Sequence, residues 1–553
     1  MSSGKRPRIP RIEDIPPQER NPTVLLLLEL CHQQREEIQQ LRDEIARLKG
    51  QKGKPAIKPS ALEGNDRTAK ERQARKKPRQ GKRSKTQQLE IHETIKRAPQ
   101  AEIPVGSRFR GYQKFTVQDL RLRVHNTCYW LERWETATGE VLLGQWPPEI
   151  GGGHFGPELR TFILYQYHHA HVTQPLLLEQ LREWGIDISA GQLSALITAG
   201  HEAFHREKEA LLQAGLQHSP YLQVDDTGAR HAGKNGYCTY IGNELFAYFA
   251  STDSKSRINF LSLLRAGQDD YTINDVALAY MAEQSLPVRM VESLRECLQQ
   301  GPSGDPVPYT VAGLKAWQET LQERAITDAR HVRIATEGAL LGTVIEQGVA
   351  PDLAILSDDA GQFDVLVHAL CWVHAERNLV KLVGFNEAQR EALAGTRSQL
   401  WTIYDALKVY KRNPCKRERA RIEKAFAALC TTRTCFETLN QALKRMQRNQ
   451  AELLRVLDRP ELPLHNNTGE RDIREYVKKR KISGSTRSAA GRRCRDTFTS
   501  LKKTCRKHGL SFWVYLTDRL FGTGRIPPLA ECVFAPDAAL RFAAATAPPI
   551  HDA

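Results

Sequence analysis

One stretch, LHNNTGERDIR at residues 464–474, decides how the rest of the chain is interpreted. Its polar start is typical of a loop that leads into a helix, and we expect Asn467 or Thr468 to cap the first turn. Apolar residues follow Glu470 at three and seven positions, which places Glu470 on the apolar face of that helix. A buried carboxylate is costly without a cation, so we expect either Arg474, one turn later, or a metal ion beside it.

Two segments carry the positive charge of this 553-residue chain, whose net charge is +16 and whose pI is about 9.3. Residues 49–87 contain 14 Lys/Arg and 3 Asp/Glu, a sum of +11, and residues 470–507 contain 14 and 4, a sum of +10. The remainder is therefore slightly negative (16 − 21 = −5). Charge concentrated on two surfaces indicates a polyanionic partner such as nucleic acid.

The 11 cysteines are scattered and form no C-x-x-C pair. This usage indicates a reducing cytoplasm and argues against a disulfide framework or a structural zinc site, so we predict no zinc. No apolar run is long enough to span a membrane, and the N-terminus does not have the pattern of a secretion signal. The sequence predicts a cytoplasmic protein without a membrane partner.

The first 99 residues are predicted to contain a disordered segment, a coiled coil and a basic linker. Residues 1–22 are Pro- and Arg-rich and predicted to be disordered, and residues 51–99 form a basic linker that suits phosphate binding. Residues 23–50 are predicted to form a coiled coil that pairs protomers through residues 24–48; the alternative is an amphipathic helix packed on its own chain. The heptad seam consists of Val24, Leu27, Cys31, Gln34, Ile38, Leu41, Ile45 and Leu48.

Two further regions precede the predicted core. Residues 100–155 alternate between apolar and polar positions, which predicts a small β subdomain. Residues 156–218 are predicted to be helical and to contain a helix–turn–helix, with Gly185 in the turn and Ser189 and Gln192 as a capping box. This motif contacts DNA in many proteins, whereas in others it is a helical hairpin that only packs.

The rest of the chain has the pattern of an α/β domain. Short apolar strands recur between helical stretches and predict a core divided by two long insertions. The predicted boundaries are 219–266, 346–382 and 463–525 for the core, 267–345 and 383–462 for two helical insertions, and 526–553 for a C-terminal tail.

Acidic residues lie at the ends of two of these strands. Asp225-Asp226 and Asp358-Asp359 each follow an apolar strand, and Glu470 opens a later helix. Carboxylates at the ends of neighbouring buried strands converge, and oxygen ligands alone suit Mg²⁺ or Mn²⁺. Two such ions activate a water or a 3′-hydroxyl and stabilise the leaving oxygen of a phosphodiester. Either acid pair alone is weak evidence, because acids are common in loops at strand ends.

Five motifs of the chain resemble those of the transposases of the insertion sequence 66 family, which belong to the DDE superfamily. They are VDDTG at 224–228, SDDAG at 357–361, CWVH at 371–374, HNNTGERDIR at 465–474 and KRKISGS at 479–485. The resemblance covers roughly residues 165–520. It implies an RNase H-like fold, a mixed sheet with helices on both faces.

The resemblance also implies an active site and a reaction. Asp225, Asp358 and Glu470 would be the catalytic, metal-binding triad for two Mg²⁺ or Mn²⁺ ions, with Asp226 and Asp359 as the fallback because adjacent residues in a strand face opposite sides. The enzyme would cleave double-stranded DNA at the element's ends and join the 3′-hydroxyl to target DNA. A homodimer or higher synaptic complex, and accessory proteins of the same element, would take part.

Several residues near the triad are expected to support it. Many relatives carry a Cys-rich zinc module before the core, but this chain has only Cys128 there. Cys371 and His374 are incomplete as zinc ligands, so we expect a packed thiol and a hydrogen-bonding His. The expected supporting residues are Asn466, Asn467, Arg474, His374 and Cys371.

Cations that follow Glu470 are expected to contact the DNA backbone, the alternative being a solvated helix face. They are Lys478, Lys479, Arg480, Lys481, Arg487, Arg492, Arg493 and Arg495. The alternative functions are an RNase H-like nuclease without strand transfer and a non-catalytic DNA-binding derivative. A two-carboxylate glycosidase is disfavoured by the charge and by the few aromatic residues.

Overall fold

The fold is available from a computed structural model, which describes residues 16, 23–31, 33–34, 90–147, 150, 153–300 and 306–534. The predicted disordered segment, most of the basic linker and most of the C-terminal tail lie outside these residues. The predicted coiled coil lies outside them beyond residue 34. Residues 23–31 are helical, and the buried Glu29 accepts a hydrogen bond from Thr438 N at 3.3 Å. This helix therefore contacts its own chain, while the seam residues Leu27 and Cys31 are exposed.

The predicted β subdomain is reduced to one hairpin of strands β1 (Arg133–Glu135) and β2 (Val141–Leu143). Within the described residues 90–132 there is no strand, so the prediction is wrong in extent. Its alternating residues have no partner strand and no core to cover, and Phe115 is 90% exposed. Alternation alone does not form a sheet.

The helical region has the predicted helix–turn–helix. Gly185 makes the turn with φ +84°, and the Ser189–Gln192 capping box is present in both directions. A π-helical turn, Tyr165–His169, follows the first helix. The helices are α1 (Pro157–Leu164), α2 (Gln174–Glu183), α3 (Ala190–Thr198) and α4 (Glu202–His218).

The remaining elements alternate between strands and helices. The strands are β3 (Tyr221–Gly228), β4 (Tyr237–Gly242), β5 (Ala247–Thr252), β6 (Asp270–Ile273), β7 (Gln299–Gln300), β8 (Pro306–Val307), β9 (Tyr309–Ala312), β10 (Ala354–Ser357) and β11 (Val367–Leu370). The helices are α5 (Arg257–Leu264), α6 (Asp275–Glu283), α7 (Val288–Arg295), α8 (Gly313–Glu323), α9 (Ala329–Glu346), α10 (Trp372–Val380), α11 (Glu387–Arg412), α12 (Lys416–Thr431), α13 (Glu437–Arg448), α14 (Gln450–Leu453), α15 (Asn467–Ser483), α16 (Ala489–Lys507), α17 (Phe512–Phe521) and α18 (Leu529–Phe534).

A five-stranded mixed sheet lies at the centre, in the order β11-β10-β3-β4-β5. Strands β11, β10 and β3 are parallel, and β4 and β5 continue the sheet antiparallel. The predicted α/β class and mixed sheet are confirmed. The parallel register places the carboxyl end of β10 beside the middle of β3, with Leu356 opposite Gln223, so Asp358 follows β10 at the level where Asp225 lies within β3.

Side chains of helix α16 accept hydrogen bonds from the free N–H groups of the edge strand β5. Side chains of Thr504, Ser500 and Asp496 accept hydrogen bonds from the N–H groups of Ala247, Phe249 and Ser251, at 3.1, 2.8 and 2.8 Å. The acceptors lie four residues apart on one helix face, and the donors alternate along β5. The edge strand is thus closed to pairing with another chain.

The two insertions differ in character. Residues 267–345 are not wholly helical as predicted, because β6 pairs with β9 and β7 with β8. Their last helix, α9, belongs to the main core, where Leu340 and Val344 are fully buried. Residues 383–462 are helical as predicted and enclose a separate core that includes Trp372. Within the described residues, no helix is long and apolar enough to cross a membrane.

Candidate active site

Strand β3 directs its two aspartates to opposite sides. Asp226 accepts hydrogen bonds from Thr239 Oγ1 at 2.6 Å and from Gln362 Nε2 at 2.8 Å. Asp225 is on the side of Gln223, whose amide donates to His465 O at 3.2 Å. Asp225 therefore faces the segment that leads into α15, and its neighbour is already satisfied elsewhere.

Asp225 lies in the field of the other two predicted acids. The pKa of Asp225 is raised from 3.8 to about 7, mainly by burial and further by the charges of Asp358, Glu470 and Asp226, against a lowering hydrogen bond from Asp226 N. Like charges perturb one another in this way only at short range. The structure thus places Asp358 and Glu470 near enough to Asp225 for their charges to act on it.

In the second acid pair too, one aspartate is bound by other side chains and the other is not. Asp359 is bound by Arg445 through Nε at 2.6 Å and Nη2 at 2.5 Å, and by Asn449 Nδ2 at 3.0 Å. Asp358 Oδ1 is buried and has no hydrogen-bond partner among the described residues. A buried acceptor without a donor is costly, so Asp358 is the member of this pair that lacks a cation.

Glu470 lies in the first turn of α15 and is largely buried. Arg377 donates to both of its oxygens, from Nη1 to Oε1 at 2.6 Å and from Nη2 to Oε2 at 3.2 Å. Arg474 Nη2 is 3.3 Å from Oε2, as expected from the sequence, and His374 Nε2 is 3.6 Å from Oε1. The main partner, Arg377, was not predicted; its signal is its position three residues after His374, on the same helix face.

Asn466 joins the elements that carry the acids. Its side-chain Nδ2 donates to Val224 O at 2.7 Å, and its backbone N donates to Cys371 Sγ at 3.2 Å. A Cβ at Gly469 would lie 2.5 Å from Asn466 Oδ1, so only glycine fits there. Burial raises the pKa of the Cys371 thiol to about 11, which makes it a packed thiol, as expected.

The expected cap of α15 is wrong. The helix begins at Asn467, and Asn466, the residue before it, makes no side-chain capping bond. Thr468 Oγ1 instead donates to Glu244 Oε1 at 3.3 Å. Asn466 is fully buried against β3, and its side chain bonds Val224 O there instead of capping the helix.

The acids fit a divalent cation in part. Within the described chain, no group of three or more His, Cys, Asp or Glu side chains is close enough to hold a metal ion. Asp225 and Asp358 nevertheless offer oxygen ligands of the kind that Mg²⁺ and Mn²⁺ prefer. Among the described residues, no group donates a hydrogen bond to the buried Asp358 Oδ1. Glu470 differs from them because Arg377 already neutralises it.

Three of the eight cations predicted to contact DNA donate hydrogen bonds to backbone oxygens of the chain itself. The buried Lys479 donates to Tyr167 O at 2.6 Å, and burial lowers its pKa to about 7. The buried Arg495 donates to Gly484 O at 2.9 Å. Arg480, half-buried, bonds Gly228 O. Four consecutive cations cannot all face solvent on a helix that packs on a sheet.

The other five cations remain candidates for DNA contact. Arg492 is half-buried and lies 3.0 Å from Asp253. The exposed ones are Lys478, Lys481, Arg487 and Arg493.

Ion pairs between α15 and α16 neutralise more of this basic segment. Asp472 lies 2.7 Å from Lys503 Nζ and 2.6 Å from Lys507 Nζ, and Glu475 lies 2.7 Å from Lys502 Nζ. All five side chains are buried or nearly so. The pairs hold the helix of Glu470 against the helix that covers the sheet edge.

Comparisons with known proteins agree with the motifs. A model of the family described as Transposase IS66 family matches residues 359–493, which include α10, α15 and Glu470. An uncharacterised protein of Sinorhizobium fredii, y4jO, is 45% identical over 334 residues. The matched region is 59% of this chain and 99% of that protein.

Proposed function

The chain belongs to the transposase IS66 family, and from this premise we propose that it is a DNA transposase that cleaves the ends of its element and joins the freed 3′-hydroxyl to target DNA. The observation that carries the proposal is that the charges of Asp358 and Glu470 both act on the buried Asp225, whose pKa rises to about 7. Such perturbed groups cluster at functional sites.

The sheet order supports an RNase H-like core. Its first strand in sequence, β3, lies between a parallel β10 and an antiparallel β4. Helices cover both faces, because α4 and α9 pack on one face and α15 packs against β3 and β4 on the other. The acids project from β3, from the loop after β10 and from α15.

Asp225, Asp358 and Glu470 are the residues that would hold Mg²⁺ or Mn²⁺, two ions per site. When bound, the ions supply activation of the attacking oxygen and charge stabilisation at the leaving oxygen. Asp225 must lose its proton to serve as a ligand. Asn466 positions α15 relative to β3, and Arg377 and His374 orient the Glu470 carboxylate.

DNA binding would use the exposed cations near Glu470 as phosphate contacts. Lys478 and Lys481 lie on α15, and Arg487 and Arg493 lie near the start of α16. Pairing of protomers through residues 24–48 would let one complex cut both ends of the element. Accessory proteins encoded by the same element and a cytoplasmic location complete the proposal.

A strand-transfer assay tests this function. The protein is incubated with Mn²⁺, a supercoiled plasmid and oligonucleotides that carry the pre-cut ends of its element. A transposase joins the oligonucleotide to the plasmid, whereas a nuclease produces nicks without a joined product. Glu470→Gln should abolish joining, and full activity of that variant would remove the proposed site.

A further inference from the structure

Arg377 occupies the position of a counter-ion in the candidate site. Its guanidinium contacts both oxygens of Glu470, at 2.6 and 3.2 Å, and both side chains are mostly buried, with 20% and 11% exposed. Paired, charge-assisted contacts of this kind are the strongest that a carboxylate makes with a side chain. Glu470 is therefore neutralised before any metal arrives.

The cationic side chains at the site pair with Glu470 rather than with the two aspartates. In the part of the chain that the structure describes, neither Asp225 nor Asp358 forms an ion pair, while Glu470 is close to Arg377, Arg474 and His374. A cation that takes all three acids as ligands must compete with Arg377 for the Glu470 oxygens. Arg474 is a weaker competitor, because it is 62% exposed and makes a single contact at 3.3 Å.

We propose that Arg377 exchanges partners: it holds Glu470 in the metal-free protein and binds a DNA phosphate once a divalent cation has taken Glu470. The proposal rests on the proposed function, because it requires both the metal and the DNA. A guanidinium suits the exchange, since carboxylate and phosphate accept its paired donors in the same geometry. The helix α10 that carries Arg377 is bonded to the segment before α15, where Trp372 N donates to Leu464 O at 3.0 Å.

The first test measures Mn²⁺ binding to the full chain by calorimetry without DNA. Arg377→Gln leaves Glu470 without its main counter-ion and should bind Mn²⁺ on the order of tenfold more tightly. The control is Arg419→Gln, which removes an Arg that pairs with Glu423 and Asp458 rather than with Glu470, and it should leave the Mn²⁺ affinity unchanged. Unchanged or weaker Mn²⁺ binding in Arg377→Gln would show that Arg377 only holds Glu470 in place and does not compete with the metal. That result would overturn the proposal.

The second test measures binding of duplex DNA against salt concentration. With Ca²⁺ as the metal, Arg377→Gln should lower the salt slope by about 0.9, the value for one lost phosphate contact. Without metal the slope should not change, because Arg377 is then held by Glu470. A loss that is equal with and without metal contradicts the exchange.

Two further variants keep the outcome decisive. Arg377→Lys retains the charge without the paired donors, and it should fall between the wild type and Arg377→Gln in Mn²⁺ affinity if the glutamine variant folds poorly. Asp358→Asn should remove Mn²⁺ binding. Equal Mn²⁺ binding by Asp358→Asn and the wild type would refute the metal site itself, whereas a normal Asp358→Asn loss with no Arg377 effect refutes only the exchange.

Discussion

Substitution of Asp225 by Asn should stabilise the metal-free protein at high pH. The pKa of Asp225 rises from 3.8 to about 7 on folding. Because the folded state binds this proton more tightly than the unfolded state, stability is lost as pH rises from about 4 to about 7. Each pKa unit is worth about 1.36 kcal/mol, so the ionised Asp225 costs about 4 kcal/mol above pH 7 and about 1.5 kcal/mol at pH 5.

Asparagine is a close replacement because its carbonyl oxygen still accepts the Asp226 N–H. We expect Asp225→Asn to be more stable than the wild type in urea at pH 8, with a smaller advantage at pH 5. Mn²⁺ at pH 8 should reverse the order, because only the wild type gains from the ion. The matched control is Asp226→Asn, which places an amide beside the Gln362 amide and should lose stability at both pH values.

The comparison between the two pH values makes this reasoning refutable. Titrating groups away from Asp225 contribute equally to the variant and the wild type, so they cancel in the difference. If the stability difference between Asp225→Asn and the wild type is the same at pH 5 and pH 8, Asp225 is not held protonated by its surroundings. Burial and the neighbouring carboxylates would then not raise the pKa of Asp225 as described.

Three further predictions concern individual side chains. Lys478→Gln should lower the salt slope of DNA binding by about 1, whereas Lys479→Met should leave it unchanged because that amine is buried; a wild-type slope in Lys478→Gln would place Lys478 outside the interface. Asp358→Asn should abolish Mn²⁺ binding seen by calorimetry, and Asp359→Asn should retain it, because its carboxylate is held by α13; the reverse result would exchange their roles. Asp472→Ala leaves two buried lysines unpaired and should lower the free energy of urea unfolding by about 3–5 kcal/mol; a loss below about 1 kcal/mol, the level of a surface pair, would contradict this.

The choice within each acid pair shows the limit of sequence reasoning. The strand period indicates that only one member of Asp225-Asp226 faces the site, but it does not say which one. The structure decides this by giving Asp226 two hydrogen-bond donors and leaving Asp225 beside the other acids. Those donors, Thr239 and Gln362, are not recognisable as partners in the sequence.

The sequence does not reveal Arg377, or the role of the polar face of α16, for a similar reason. Asp496, Ser500 and Thr504 recur every four residues in a basic helix, which is the one sequence signal that could have revealed a polar face turned inward. It could not reveal that the face covers the edge of β5. Arg377 lies 93 residues from Glu470, and no local pattern reports such a pair.

The sequence by itself determined the α/β class, the strands that carry the acids, the helix–turn–helix and the family, because these depend on local periodicity, turn chemistry and motifs. Only the tertiary structure decided which cations are buried, how Glu470 is neutralised and that residues 90–132, as far as they are described, add no strand. Burial and long-range pairing depend on which faces meet when the chain packs. That information is distributed over segments hundreds of residues apart.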